Sequence, residues 1–217
     1  MYLAYALFCE GPSDYSYFEV LVPRVIESTV LKVGKTSVDV PERPSLRLGR
    51  KGRSVDAVAR EACDGREAFH VVFVHADTGG RGQQARLPER STAYCMRMHE
   101  GCELRRERCV LLRPASMMES WALADPNAVL DALGYRGAPA ELGLPGGAEQ
   151  AEVHPDPKGC LASAFRSVRG PRGSRAGSLL PAIAQRQSID ALRRSKSFQE
   201  LERSLHRALG DLGVLDT

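Results

Sequence analysis

Two short and nearly unbroken apolar runs constrain this chain more than anything else in it. One is Leu3 to Cys9. The other is Phe69 to His75, reading Phe-His-Val-Val-Phe-Val-His. Runs this short, bounded by turn residues, read as buried strands. Each leads to a carboxylate: Glu10 follows the first directly, and Asp77 comes two residues after the second. Glu10-Gly11-Pro12-Ser13 is a turn. Ser13 or Asp14 then caps a helix whose apolar residues Tyr17, Phe18, Leu21, Val22, Val25 and Ile26 recur at helical spacing, with Pro23 expected to kink or split it.

The rest of the chain continues the alternation. Residues 31–53 are rich in Gly, Pro and charge, with β-like stretches at Ser37 to Val40 and Ser45 to Leu48. Ser54 caps a helix to about Cys63. A glycine-rich loop (Gly79, Gly80, Arg81, Gly82) follows the strongest strand, and a helix over 87–99 precedes a strand over 108–113. Met117 to Asp125 reads as helical up to the residue before proline, and Pro126 opens a helix to about Leu133. Residues 134–157 are a Gly/Pro-rich linker or lid, and helices resume over 157–166, 179–185, 188–194 and 198–209. Strand, helix, strand, helix, strand implies an α/β fold: a mostly parallel sheet flanked by helices, with a helical C-terminal part. The expected division is an α/β core over 1–133 and a linker plus basic helical part over 134–217, packed together as one compact domain.

Composition sets outer limits. The chain has 217 residues, 43% of them hydrophobic and 26% charged, in keeping with a globular protein. No apolar run approaches the roughly 20 residues that span a bilayer. The N-terminal run lacks the basic flank and cleavage site of a signal peptide, so the cytoplasm is the default location. The six cysteines form no Cys-x-x-Cys pair and read as reduced core or surface thiols. A zinc set of Cys95, His99, Cys102 and Cys109 is disfavoured, because a helix would separate Cys95 from Cys102 by about 10 Å. The net charge of +3 is uneven. Residues 158–209 carry eleven Lys/Arg against three Asp/Glu, a balance of +8, which leaves −5 for the remainder. Arg43, Arg47, Arg50, Lys51 and Arg53 form a second basic run with no acid from 43 to 53. Basic segments flanking an acidic centre suit a polyanion held beside a metal; solvated arginine-rich faces are the plainer alternative.

In parallel sheets ligands gather beyond the carboxyl ends of the strands. Glu10 and Asp77 are both expected on that edge, where two carboxylates can share Mg²⁺ or Mn²⁺. Such an ion can activate water and stabilise charge on a phosphate. Taken singly, Glu10 could be a helix-start acid and Asp77 a turn residue. Glu119, just past the 108–113 strand, could reach the same edge or pair with an arginine as a helix acid. Asp125 before Pro126 fits a helix boundary. Lys158 could stabilise a phosphate transition state or be a solvated lysine. Trp121 reads as a core anchor. The 79–82 glycines lack the Lys-Ser/Thr ending of a P-loop.

The segment Leu7-Phe8-Cys9-Glu10-Gly11-Pro12-Ser13-Asp14 resembles the opening motif of TOPRIM domains, and Val71 to Asp77 resembles their second, acid-ending strand. Met118-Glu119-Ser120-Trp121-Ala122-Leu123-Ala124-Asp125-Pro126, Asp156-Pro157-Lys158 and Ser195 to Phe198 resemble a small bacterial group related to TOPRIM nucleases of the overcoming-lysogenization-defect type. The resemblance implies a TOPRIM-like fold and a Mg²⁺- or Mn²⁺-dependent nuclease cutting DNA or RNA. It implies a metal set of Glu10, Asp77 and Glu119, with Lys158 nearby. It also implies a role in bacterial defence against phage or mobile elements beside a partner ATPase; a homo-oligomer is compatible with it. The chain departs from the family pattern at one point. Either Gly79 stands where the second acid of Asp-x-Asp belongs, or His75 stands where the first does. That departure keeps a non-catalytic nucleic-acid or protein binding module as the alternative.

Overall fold

Tyr5–Cys9 forms strand β1 at the centre of the molecule, every residue of it buried. The chain is seen here in a computed structural model that describes residues 1–34, 37–76, 87–170 and 176–215. β1 pairs in parallel with β2 (Leu46–Leu48) on one side and β3 (Val71–His75) on the other. β4 (Cys109–Leu111) joins β3, also in parallel, giving a four-stranded sheet of order β2-β1-β3-β4. The register sets Cys9 beside His75. The residues that leave β1 and β3 therefore emerge together at the carboxyl edge.

The two-residue period of the strands divides the core in two. Tyr5, Leu7, Cys9, Val71, Phe73 and Val110 face helix α1 (Pro12–Val33) and the C-terminal helices. Ala6, Phe8, Leu48, Val72 and Val74 face the other way, onto α2 (Val55–Asp64) and α3 (Leu87–Cys102). Both faces are covered, which is why the strands read as continuous apolar runs rather than alternating ones.

Helix α1 runs from Pro12 to Val33 without interruption, where sequence reasoning expected Pro23 to kink or split it. Proline forfeits one helical hydrogen bond and crowds the preceding turn, at about 3 kcal/mol. Tyr17, Phe18, Leu21 and Val22 before it, and Val25, Ile26 and Val30 after it, are all buried. Each contributes about 1.5–3 kcal/mol on burial, so packing on both sides of the proline keeps the helix whole. The helix also starts earlier than expected. Pro12 takes the first turn, where its missing N–H costs nothing, and Asp14 reaches back to accept a hydrogen bond from the Gly11 amide at 3.0 Å.

The segment over 134–157, expected as a linker or lid, packs into the core. It holds a 3-10 turn at Pro139–Leu142 and helix α6 (Ala148–Glu152), with Leu144, Ala148 and Ala151 buried. Between β4 and α6 lie α4 (Met118–Ala122) and α5 (Pro126–Leu133). After α6 come α7 (Pro157–Arg169), α8 (Leu180–Arg186), α9 (Ile189–Leu192) and α10 (Lys196–Asp211). α8 lies on α1, where Arg24 donates to the Ala184 and Gln187 carbonyls at the end of α8. α10 lies on β4, and Asp211 pairs with Arg105 and Arg108. The β-like stretch at 37–40 contributes only a bridge between Tyr2 and Asp39.

The cysteines differ from expectation. Four are paired, as Cys63–Cys102 and Cys95–Cys109, leaving a buried Cys9 and a partly exposed Cys160 as thiols. α2 and α3 run side by side in the same direction, so their final turns bring Cys63 and Cys102 to a Cα separation of 5.5 Å. Cys95 faces the start of β4, 5.7 Å from Cys109. Both separations suit a disulfide. Pairing in two separate bridges also disposes of the zinc set.

Candidate active site

Glu10 is the first residue past β1 and sits directly before the turn into α1. Its side chain is 17% exposed, and Arg90 on the first turns of α3 pairs with it at 2.6 Å. Gly11 is fixed by local geometry: a Cβ there would meet Asp14 Oδ2 at 2.7 Å, inside contact distance. The Glu-Gly pair is thus set by a strand end and by the Asp14 carboxylate capping the Gly11 amide, which leaves the Glu10 carboxylate at the sheet edge.

Asp77 and the loop of Gly79, Gly80, Arg81 and Gly82 lie outside the described residues. His75, weighed above as a stand-in for an acid, is 2% exposed. Its Nδ1–H donates to the Leu112 carbonyl at 2.9 Å and its ring packs on Phe18, 4.8 Å between centroids. His75 therefore joins β3 to the exit of β4 and the start of α1.

Phe18 touches Trp121 as well, at 6.0 Å, so α4 is held against the same end of the sheet. Glu119, in the first turn of α4, is half-buried there. Lys158, on the first turn of α7, is exposed, and no hydrogen bond or ion pair joins it to Glu10 or Glu119. Among the described residues no group of three or more His, Cys, Asp or Glu side chains comes together as a metal cage. Glu10 and Glu119 each offer carboxylate oxygens of the kind Mg²⁺ accepts, an ion commonly held by one or two carboxylates with waters and substrate phosphates completing the shell.

Several motifs that carry the resemblance have structural work to do. Trp121 is fully buried, edge-on to Phe18 and Phe198, and its indole N–H donates to Ser197 at 2.8 Å. Asp125 caps α5 through the Ala128 amide and also accepts from the Ser188 amide at 2.9 Å. Asp156 caps α7 through the Gly159 amide, and a Cβ at position 159 would meet the Asp156 carboxylate at 2.0 Å. Ser195 caps α10, while Glu152 accepts from the Ser195 hydroxyl and from the Lys196 and Ser197 amides. Gln187, fully buried, takes the Tyr17 hydroxyl at 2.7 Å and donates to the Trp121 carbonyl, tying α1 to α4.

Sequence reasoning missed Arg90, Tyr15 and Glu61. Tyr15 donates to the Leu48 carbonyl, and Glu61, 8% exposed, accepts from the Gly49 amide at 2.8 Å. Glu61 had one available signal: an acid on the apolar stripe of α2, beside Val58 and Ala62. Arg90 had none, being one arginine among many.

Comparison with family models, with curated proteins and with solved structures returns no match to this chain. The described residues include no helix long and apolar enough to cross a membrane.

Proposed function

We propose that this chain is a Mg²⁺- or Mn²⁺-dependent phosphodiesterase acting on DNA or RNA, in the manner of the TOPRIM nucleases it resembles. The supporting observation is Glu10: a largely covered carboxylate at the carboxyl edge of a four-stranded parallel sheet, directly after the central strand. Parallel sheets bind ligands at that edge. Glu10 and Glu119 would hold the cation, Asp77 would join them by resemblance, and Lys158 would serve the phosphate. A cation bound there would supply positive charge for the phosphate oxygens. On this reading the protein acts on nucleic acid beside a partner ATPase in defence against phage or mobile elements.

One observation favours a second reading, a binding module without catalysis. The Arg90 guanidinium already pairs with Glu10, and a cation would compete with it.

Calorimetric titration of Mn²⁺ into the wild type and Glu10→Gln, followed by a nuclease assay on the same samples, separates the two. Binding that disappears in the variant, together with Mn²⁺-dependent cleavage by the wild type, is the expected result. A folded wild type that takes up no Mn²⁺ would sink the enzyme reading.

A further inference from the structure

The carboxyl edge holds a second feature beside Glu10. A cavity of about 360 Å³ opens between the ends of β1 and β2 and the first turns of α1, and Cys9, the residue before Glu10, forms part of its wall. Tyr15, Glu19, Arg47, Arg50 and Arg53 also line it. Three guanidinium groups thus face one carboxylate. Arg47 pairs with Glu19 and lies over the Tyr15 ring, 6.0 Å from its centroid. Arg50 and Arg53 are exposed, and among the described residues their side chains have no hydrogen-bond or ion-pair partner. The described residues that line the cavity thus carry three guanidinium groups and one carboxylate, a net charge of +2.

The loop that presents them is built. Gly49 adopts φ +88, and a Cβ there would meet the Phe8 ring at 2.9 Å, so only glycine turns the chain at that point. Its amide is held by the buried Glu61, the Leu48 carbonyl by Tyr15, and the Arg53 carbonyl by the Tyr94 hydroxyl at 2.9 Å. Ser54 then caps α2 through the Ala57 amide. Anchored backbone with free guanidinium heads costs little further ordering when an anion binds, and the planar fork of arginine matches phosphate oxygens two at a time.

We infer that this cleft holds the sugar–phosphate backbone of a polynucleotide strand, with Arg50 and Arg53 contacting phosphates and Arg47 lining the wall beside Glu19. The inference rests on the proposed substrate class, but not on metal or catalysis. The test is therefore made in EDTA, on a Glu10→Gln background. A fluorescein-labelled single-stranded oligonucleotide, as DNA and as RNA, is titrated by anisotropy at several salt concentrations.

Arg50→Ala/Arg53→Ala is compared with Arg203→Ala/Arg207→Ala, a charge-matched pair on α10, which packs at the opposite, β4 edge of the sheet. Thermal unfolding verifies that both variants fold. The cleft variant is expected to bind about tenfold more weakly or worse, with the slope of log K against log salt reduced by about 1.5 for two lost phosphate contacts. The α10 variant should stay near the parent. Equal losses in the two variants, or none in the cleft variant, overturn the proposal. Displacement of the strand by an equal concentration of inorganic phosphate would assign the cleft to a small phosphate and overturn the strand reading. Strand binding that depends on Arg50 and Arg53 in a protein that binds no Mn²⁺ would uphold the cleft while the metal reading fell.

Discussion

Glu10 and Arg90 form the one contact in which the proposed chemistry meets a competing structural use of the same atoms. The carboxylate is mostly covered, while the guanidinium is 54% exposed, so water screens the pair strongly. Ion pairs with an exposed partner are worth about 0.2–1 kcal/mol. A cation that replaces Arg90 gives up that much and no more. Arg90→Ala should therefore tighten Mn²⁺ binding by up to about fivefold, which is 1 kcal/mol expressed as an affinity ratio. Calorimetry on the variant and wild type reads this directly. Weaker binding in Arg90→Ala would mean that the arginine orients Glu10 for the metal and does not compete with it. Half of this pair was legible beforehand. An acid and a glycine after an apolar strand place Glu10 on the sheet edge by local rules alone. Arg90 reaches Glu10 because α3 packs beside β1, and no spacing in the sequence encodes which arginine of many arrives there.

Helix ends were more legible than helix courses. Ser54 and Pro126 stand where a cap and a first-turn proline belong, and each takes that role, while Asp125, expected only as a boundary, caps α5; Ser188 and Ser195 also cap helices, although the sequence placed Ser188 inside its helix and began the last helix at 198. Pro23 misled because propensity weighs a single residue, whereas α1 survives through seven buried neighbours on both sides of it. α10 depends on a residue distant in sequence. Glu152, at the end of α6, accepts hydrogen bonds from Ser195, Lys196 and Ser197 at its N-terminus. Burial pushes the Glu152 carboxyl up, but the hydrogen bonds from Ser195, Ser197 and Lys196 outweigh this and hold it below its ordinary value. A depressed folded-state pKa contributes stability that is complete above the unfolded value, near 4.3, and is lost as pH falls through the folded one. Glu152→Gln keeps the shape and removes the charge. It should cost about 1 kcal/mol at pH 7, as expected for a charged acceptor at a helix N-terminus. The deficit should close only in stronger acid, once the pH has fallen through the depressed folded-state pKa and the wild-type carboxylate is itself protonated. Urea unfolding at pH 7 and in such acid measures it, and a deficit of the same size in acid would show that the charge plays no part.

At the scale of the molecule, the alternation of β1 decides how far the N-terminal half can stand alone. Tyr5, Leu7 and Cys9 share their core with residues as distant as Phe198, Leu205 and Leu215. The paired cysteines work on the other face, where α2, α3 and β4 meet within residues 55–111. Their pairing was not legible, because spacings of 39 and 14 residues carry no signal until two helices and a strand are set side by side. The strand–helix alternation predicted a parallel sheet with helices on both faces, and the structure has it. What the alternation does not specify is that α8 covers α1 and α10 covers β4. Leu180, Ile183, Phe198, Leu201, Leu205 and Leu209 are nearly or fully inaccessible to solvent. Removing them forfeits on the order of 10 kcal/mol of burial, even before the exposed faces of α1 and β4 are counted. Whole domains are stable by only about 5–15 kcal/mol. A fragment ending at Leu133 keeps every strand and both bridges, yet it should show no cooperative denaturant transition and little near-ultraviolet circular dichroism. The full chain should unfold in a single step, because one core joins the sheet to its last helix. A fragment that unfolds cooperatively near the midpoint of the whole chain would show that the sheet with α1, α2 and α3 is already self-sufficient, and that the C-terminal helices add to the fold without completing it.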